Sequence, residues 1–348
     1  MAATKVLVVD DSITMRALFT NALERSKDIV VVGSANGADE AREMIAELRP
    51  NVLTLDVEMP GMNGLDFLAE LMETTPLPVV MLSTLTQKGA DVSLRAIELG
   101  AVDCFPKPPR ATPDEFDKIS SKLCKAVLTA AKTNLAARKQ AAATAPVMAP
   151  TGDYVWREEI VAVAGGVGGI EAASEMLAAF PANCPPTIVS LAIDEGLGVP
   201  FASRLSRDAA AKVKLAEDGA ALEQGVIHVA VDPRFHVVVD RWPGGRLRLV
   251  ERDPVNGVRP SADLLFGSVA KTAGARAVGV VLSGDGNDGA AGIAAIKGGG
   301  GVCLVQDPAT ALVRTMIDAA IARGVTAMAG PAQLAAQACP TGSATIAA

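Results

Sequence analysis

A chain of 348 residues has room for about two domains, and with 50% hydrophobic residues it can fill two cores. Its net charge of −7 and isoelectric point near 5.1 exclude the basic footprint of a nucleic-acid binder. No apolar run approaches the roughly 18–20 residues of a membrane span, and the first strand is reached too early to leave room for a signal peptide, so a cytoplasmic protein without membrane insertion is expected.

The first predicted strand is Val6-Leu7-Val8-Val9, which runs into Asp10 and Asp11. Val52-Leu53-Thr54-Leu55 is a second, ending in Asp56, and Pro78–Leu82 a third, ending in the hydroxyls Ser83 and Thr84. A short run from Ala101 ends in Phe105-Pro106-Lys107-Pro108. Apolar strands alternating with helical stretches argue for a parallel sheet. Ligands of such sheets bind at the carboxyl ends of the strands. Asp10, Asp11, Asp56, Thr84 and Lys107 are therefore expected to converge at one edge.

Three clustered carboxylates make a hard oxygen site that suits Mg²⁺. Asp56 is expected to be a phosphoryl acceptor, a carboxylate nucleophile that forms an aspartyl phosphate. Mg²⁺ held by the acids would neutralise the transferring oxygens. Lys107 would pair with the phosphoryl group, and Thr84 would hydrogen-bond to it and so report its presence.

These residues resemble the receiver domain of response regulators, from Lys5 to about Lys125. Asp56-Val57-Glu58-Met59-Pro60-Gly61-Met62-Asn63-Gly64 looks like the acceptor loop. Val80–Thr86 and Glu98–Asp103 are most similar to receivers of chemotaxis methylesterases. The resemblance implies a flavodoxin-like fold and a histidine sensor kinase as phosphoryl source. Receivers usually carry an aromatic three residues before the lysine. Cys104 stands there, which leaves the usual aromatic readout without its side chain.

After Lys125 the chain is Ala-rich, able to extend the last receiver helix, and then passes Ala141–Gly152, small and proline-punctuated. Residues 126–153 read as a linker. A second alternation follows, with strands expected at Val161–Val163, Thr187–Leu191, Val226–Ala230, Ala277–Leu282 and Val302–Val305. It predicts a second doubly wound domain over 154–335 and a tail over 336–348. His236–Val239 and Leu247–Val250 read as an antiparallel hairpin at the edge of its sheet. The five cysteines (Cys104, Cys124, Cys184, Cys303, Cys339) form no disulfide framework or metal spacing and read as reduced thiols. His228 reads as a packed strand histidine.

Ile160–Ala172 predicts a buried strand, a glycine turn and a helix start. In an esterase such a turn presents the nucleophile at the end of a sheet; here the position is Gly166. The turn also suggests a phosphate cradle. Glu171 stands at the third glycine position of that fingerprint and would repel phosphate, so nucleotide binding is not expected.

This half resembles the catalytic domain of the chemotaxis protein-glutamate methylesterases, the CheB family, over about Val155–Gly330. The resemblance rests on Val280-Val281-Leu282-Ser283-Gly284-Asp285-Gly286-Asn287-Asp288-Gly289-Ala290, on Arg259–Ala270, on Phe201-Ala202-Ser203-Arg204-Leu205 and on Gln306-Asp307. The order of receiver, linker and this Rossmann-like domain is that of the family. The resemblance implies chemoreceptors as partners and a serine, a histidine and an aspartate as the catalytic set. The serine position falls on Gly166 with Val167 beside it, the histidine position on Ala192, and the aspartate on Asp288. The loop methionine position is Asp285, whose carboxylate would oppose a developing oxyanion.

Removing triad members costs factors on the order of 10⁴–10⁶ in rate. The expectation is a response regulator phosphorylated on Asp56, whose methylesterase-like domain is inactive and acts by phosphorylation-gated partner binding. The alternative is an active methylesterase or glutamine deamidase with a rebuilt site, drawing on Ser283, Ser190, Ser203 or His236. Asp288 on the inactive reading caps or positions the glycine turn. A decayed duplicate is a third reading, against which the strand runs and turns are well kept.

Overall fold

The computed structural model describes residues 3–84, 87–135, 154–193 and 196–340. They belong to two compact units, Met1–Leu135 and Ala136–Ala348. Residues 136–153 of the expected linker and 341–348 of the expected tail lie outside the described residues.

The first unit runs β1 (Thr4–Val9), α1 (Ile13–Leu23), β2 (Ile29–Ala35), α2 (Ala38–Leu48), β3 (Val52–Asp56), α3 (Gly64–Thr74), β4 (Val79–Ser83), α4 (Gln87–Leu99), β5 (Asp103–Pro106) and α5 (Pro113–Ala130). The sheet order is β2-β1-β3-β4-β5, parallel throughout. Every residue of β3 and β4 is buried, which is why each reads as a continuous apolar run. On one face Phe19 of α1 meets Phe116 of α5 edge to face, with ring centroids 4.8 Å apart. Burying each ring contributes about 2–3 kcal/mol. On the other, Leu7, Leu53 and Met81 pack with Phe67 of α3. Helix α1 starts on Ser12, whose hydroxyl accepts from the Met15 N–H. β1 has β2 on one side and β3 on the other, so the strand order reverses between β1 and β3. A ligand-binding crevice forms at such a point.

The second unit runs β6 (Ile160–Gly165), α6 (Gly169–Ala178), β7 (Thr187–Leu191), α7 (Gly198–Asp208), β8 (Lys212–Leu215), β9 (Val226–Ala230), β10 (His236–Val239), β11 (Leu247–Val250), α8 (Ala262–Ala273), β12 (Ala277–Val281), α9 (Ala290–Gly298), β13 (Val302–Gln306), α10 (Thr315–Ala322), β14 (Ala327–Ala329) and α11 (Pro331–Ala338). Seven strands pair in the order β14-β13-β12-β6-β7-β9-β8, again parallel. Here the order reverses between β6 and β12. Both units are thus doubly wound α/β folds, as the alternation predicts.

The hairpin departs from expectation in its place. β10 and β11 form a two-stranded antiparallel sheet of their own. Its inward Val237, Val239 and Leu247 share a core with Leu265 and Phe266 of α8. The edges of the large sheet belong to β8 and β14, of 4 and 3 residues. The fold also continues past residue 335: Leu334, Ala335, Ala338 and Cys339 are buried. None of the five cysteines is in a disulfide. Trp156 and Trp242 pack edge to face with centroids 6.1 Å apart, and their indole N–H groups donate to the Glu159 and Glu158 carbonyls. The pair fastens the start of this unit to the loop after β10. Among the described residues no helix is long and apolar enough to cross a membrane.

Candidate functional site

In the first unit the reversal point gathers the acids. Asp10 follows β1, Asp56 ends β3, and carboxylate oxygens of Asp10, Asp11 and Asp56 all lie within 4.8 Å of one another. Asp10 and Asp56 are buried and Asp11 is exposed. Lys107, just after β5, lies against both buried acids, its Nζ 2.8 Å from Asp10 Oδ2 and 2.7 Å from Asp56 Oδ2. The Lys107 N–H donates to the Ser83 carbonyl, which ties this loop to the end of β4. Thr84 stands exposed after β4.

Burial pushes the Asp56 carboxyl up to about 6, against the opposing pull of Lys107. Burial pulls the Lys107 ammonium down, but Asp10 and Asp56 together hold it above the ordinary lysine range. Three mutually repelling carboxylates around one point form a group that can hold a divalent cation, and their hard oxygens suit Mg²⁺.

Cys104 is buried, and its thiol donates to the Ser93 carbonyl of α4 at 3.3 Å. The Ser93 hydroxyl donates to Ser83 Oγ at 3.0 Å. Small polar groups thus link β4, α4 and β5 beside the acceptor. Sequence reasoning did not single out Arg16, in the first turn of α1. Its Nη1 donates to the carbonyls of Asp10 at 2.8 Å and Asp11 at 3.0 Å. No motif flags it, because it works on backbone rather than on a side chain.

In the second unit the reversal point gathers Gly166, Ala192 and the Gly284-Asp285 loop. The Gly166 N–H donates to the Ser283 carbonyl at 2.8 Å, and the Ala192 N–H donates to Gly165 O at 2.8 Å. A Cβ on Gly166 would stand 3.3 Å from Gly284 Cα, 3.6 Å from the Asp285 nitrogen and 3.7 Å from the Ala192 carbonyl oxygen. Gly168 makes the turn into α6 at φ +76°, where a Cβ would also strike Leu312 and Ser283 at 2.7 Å.

Asp288 is buried, and its carboxylate serves the start of α8. It accepts from the Ser261 hydroxyl at 2.8 Å, the Ala262 N–H at 2.6 Å and the Asp263 N–H at 3.1 Å. It therefore caps a helix N-terminus, satisfying N–H groups that have no partner within the helix. The role expected for it, holding the glycine turn, goes instead to Ser283. The Ser283 hydroxyl donates to Val167 O at 2.7 Å and accepts from the Val313 N–H at 2.9 Å.

His236 opens β10. Ser261, His236 and Asp288 together offer the residue types of a hydrolase, but they are wired differently. The Ser261 N–H donates to His236 Nδ1 at 3.1 Å, so the ring proton sits on Nε2 and donates to Asp253 O at 3.1 Å. The Ser261 hydroxyl gives its proton to Asp288, not to the imidazole. All three side chains are buried. Of the other hydroxyls, Ser190 is buried in β7 with no partner, and Ser203 is exposed on α7. His228 is buried in β9, and burial holds its imidazole below the usual histidine range.

Residues 6–116 match the response regulator receiver domain, and residues 161–338 match the CheB methylesterase family. The chain is 48% identical over 320 residues to the protein-glutamate methylesterase/protein-glutamine glutaminase 1 of Caulobacter vibrioides, covering 91% of each chain. It is 43% identical over 315 residues to the protein of that name from Agrobacterium fabrum, covering 90% of each. Among solved structures, the CheB methylesterase catalytic domain of Thermotoga maritima superposes with a TM-score of 0.50 at 26% identity, covering 53% of this chain and 98% of that one.

Proposed function

We propose that the chain, which belongs to the CheB methylesterase family and carries a receiver domain, is a chemotaxis-type response regulator phosphorylated on Asp56. Its second domain would act by phosphorylation-gated partner binding rather than ester hydrolysis. A histidine kinase would be the phosphoryl source, and chemoreceptors or other signalling proteins the partners. The domain limits proposed are a receiver extended to the end of α5 at Ala130, a linker to 153, and a second domain from 154 extended past 335 by the buried Ala338 and Cys339.

In the phosphoryl step an Asp56 carboxylate oxygen attacks the phosphorus, the bond to the donor breaks, and the electron pair leaves with the donor. Mg²⁺, held by Asp10, Asp11 and Asp56, would supply neutralisation of the transferring oxygens. Lys107, already on Asp56 Oδ2, pairs with the new phosphoryl oxygens. Thr84 supplies a hydroxyl to the same group.

For the second domain, the observation that carries the reading is the constellation at β6 and β12. Gly166 has no side chain to attack with, Ala192 has none to accept a proton, and the Asp288 carboxylate is engaged by α8. Asp285 brings its backbone nitrogen to 3.6 Å from a Gly166 Cβ, and its carboxylate accepts from the Thr315 hydroxyl at 3.2 Å.

The second reading is an active methylesterase or glutamine deamidase on chemoreceptors. The comparisons favour it, since the relatives that match over nine-tenths of the chain carry that name. It requires a nucleophile and base from elsewhere, and the Ser261–His236–Asp288 group lacks the connectivity. Methanol release from methylated chemoreceptor membranes separates the two. The chain is phosphorylated by acetyl phosphate with Mg²⁺ and compared with Asp56→Asn. Release above the control establishes the second reading. No release, with Asp56 shown to be phosphorylated, supports the first.

A further inference from the structure

We infer that Arg16 is a positioning residue for the metal-binding acids: one guanidinium nitrogen fixes the two peptide planes from which Asp10 and Asp11 project. The inference rests on reading Asp10, Asp11 and Asp56 as the divalent-cation site. The geometry around the two acids is unequal. Asp10 is held at every polar group: its N–H donates to Ala35 O, its Oδ1 accepts from the Ser12 N–H, its Oδ2 meets Lys107, and its carbonyl accepts from Arg16. Asp11 is exposed, and its carbonyl accepts from the same Arg16 Nη1.

Turning either peptide plane swings the Asp11 Cα–Cβ direction, and with it the carboxylate that must share a point with Asp10 and Asp56. Arg16 pins both carbonyls with one atom, at 2.8 and 3.0 Å. The grip comes from the first turn of a helix that is itself capped by Ser12. The order lost on removing Arg16 is therefore local to the two acids. Groups that orient metal ligands from behind are worth as much as tenfold or more in metal affinity.

The sign of the effect tests the inference. As a bare positive charge, Arg16 would repel a bound cation, and removing it would tighten binding. As a positioning group, removing it weakens binding. The experiment is titration of the full chain with Mn²⁺, read by loss of the free-ion electron paramagnetic resonance signal. Calorimetry of the first unit reports whether each variant folds.

Arg16→Ala is expected to weaken Mn²⁺ binding about tenfold. Arg16→Lys, which keeps the charge and reaches one carbonyl, is expected to weaken it about threefold and so restore part of the loss. Unchanged or tighter binding by a folded Arg16→Ala overturns the inference. If that variant does not fold, wild-type affinity in Arg16→Lys overturns it. A wild-type chain that takes up no Mn²⁺ sinks the metal-site reading itself, a result distinct from either.

Discussion

The Ser261 hydroxyl donates to Asp288 Oδ1 at 2.8 Å, and this bond joins the turn before α8 to the turn before α9. The carboxylate also takes the Ala262 and Asp263 N–H groups. The residue that the family resemblance implies as the catalytic acid thus has a structural duty. Asp288→Ala leaves these buried donors without an acceptor, and is expected to cost about 2–4 kcal/mol. Calorimetric unfolding of the second unit measures it; a change below about 1 kcal/mol would refute the capping role. For the same reason, loss of any activity in Asp288→Ala is not by itself a sign of catalysis.

Placing a serine at Gly166 and a histidine at Ala192 tests the proposed absence of ester hydrolysis. Gly166→Ser adds a Cβ 3.3 Å from Gly284 Cα, so the loop must give by a few tenths of an ångström, at about 1 kcal/mol. Gly166→Ser with Ala192→His is expected to release methanol from methylated receptor membranes above the unmodified chain. Adding Asp285→Asn should raise release by about tenfold, as a negative charge leaves the loop whose backbone borders Gly166. Silence from both variants would mean that the defect lies elsewhere.

Lys107 bridges two buried carboxylates at 2.8 and 2.7 Å. Lys107→Met leaves them facing each other, and is expected to destabilise the first unit by about 2–3 kcal/mol in metal-free buffer. A divalent cation neutralises the same charges, so millimolar Mg²⁺ should recover most of the loss. Urea unfolding with and without Mg²⁺ checks both halves of the expectation, and a loss indifferent to Mg²⁺ would contradict it.

His228 is buried, and burial holds its imidazole below the usual histidine range. The unfolded chain binds a proton near pH 6.5 and the folded chain at a lower pH. Stability from this group is therefore complete above about pH 6.5 and falls as pH drops from there through the folded value. The melting temperature of the second unit should decline between pH 7.5 and 5.5, and His228→Leu should flatten that decline. An equal slope in the variant would assign the effect to other groups.

The sequence was most legible where physics writes a single signal. β3, β4 and β6 are buried on both faces, so each is a mainly apolar run with a candidate residue at or beside its carboxyl end. β2 writes only a weak signal because it is an edge strand whose burial is patchy and whose end holds Gly33 and Ser34. β8, Lys-Val-Lys-Leu, is too short and polar to announce itself. The hairpin was read as such, but which surface it packs on depends on α8, and pairing across distant segments is not a local signal. The acid cluster was legible because side chains of known chemistry end successive strands. Arg16 and the Asp288 cap were not, because both act on backbone groups whose directions exist only once the chain is folded.

The only two tryptophans of the chain, Trp156 and Trp242, face each other in the second unit. Light absorbed at the red edge of the protein spectrum is therefore re-emitted from the second unit, while the first, which has no tryptophan, stays dark. A change in that glow on modifying Asp56 would report an event in the second unit.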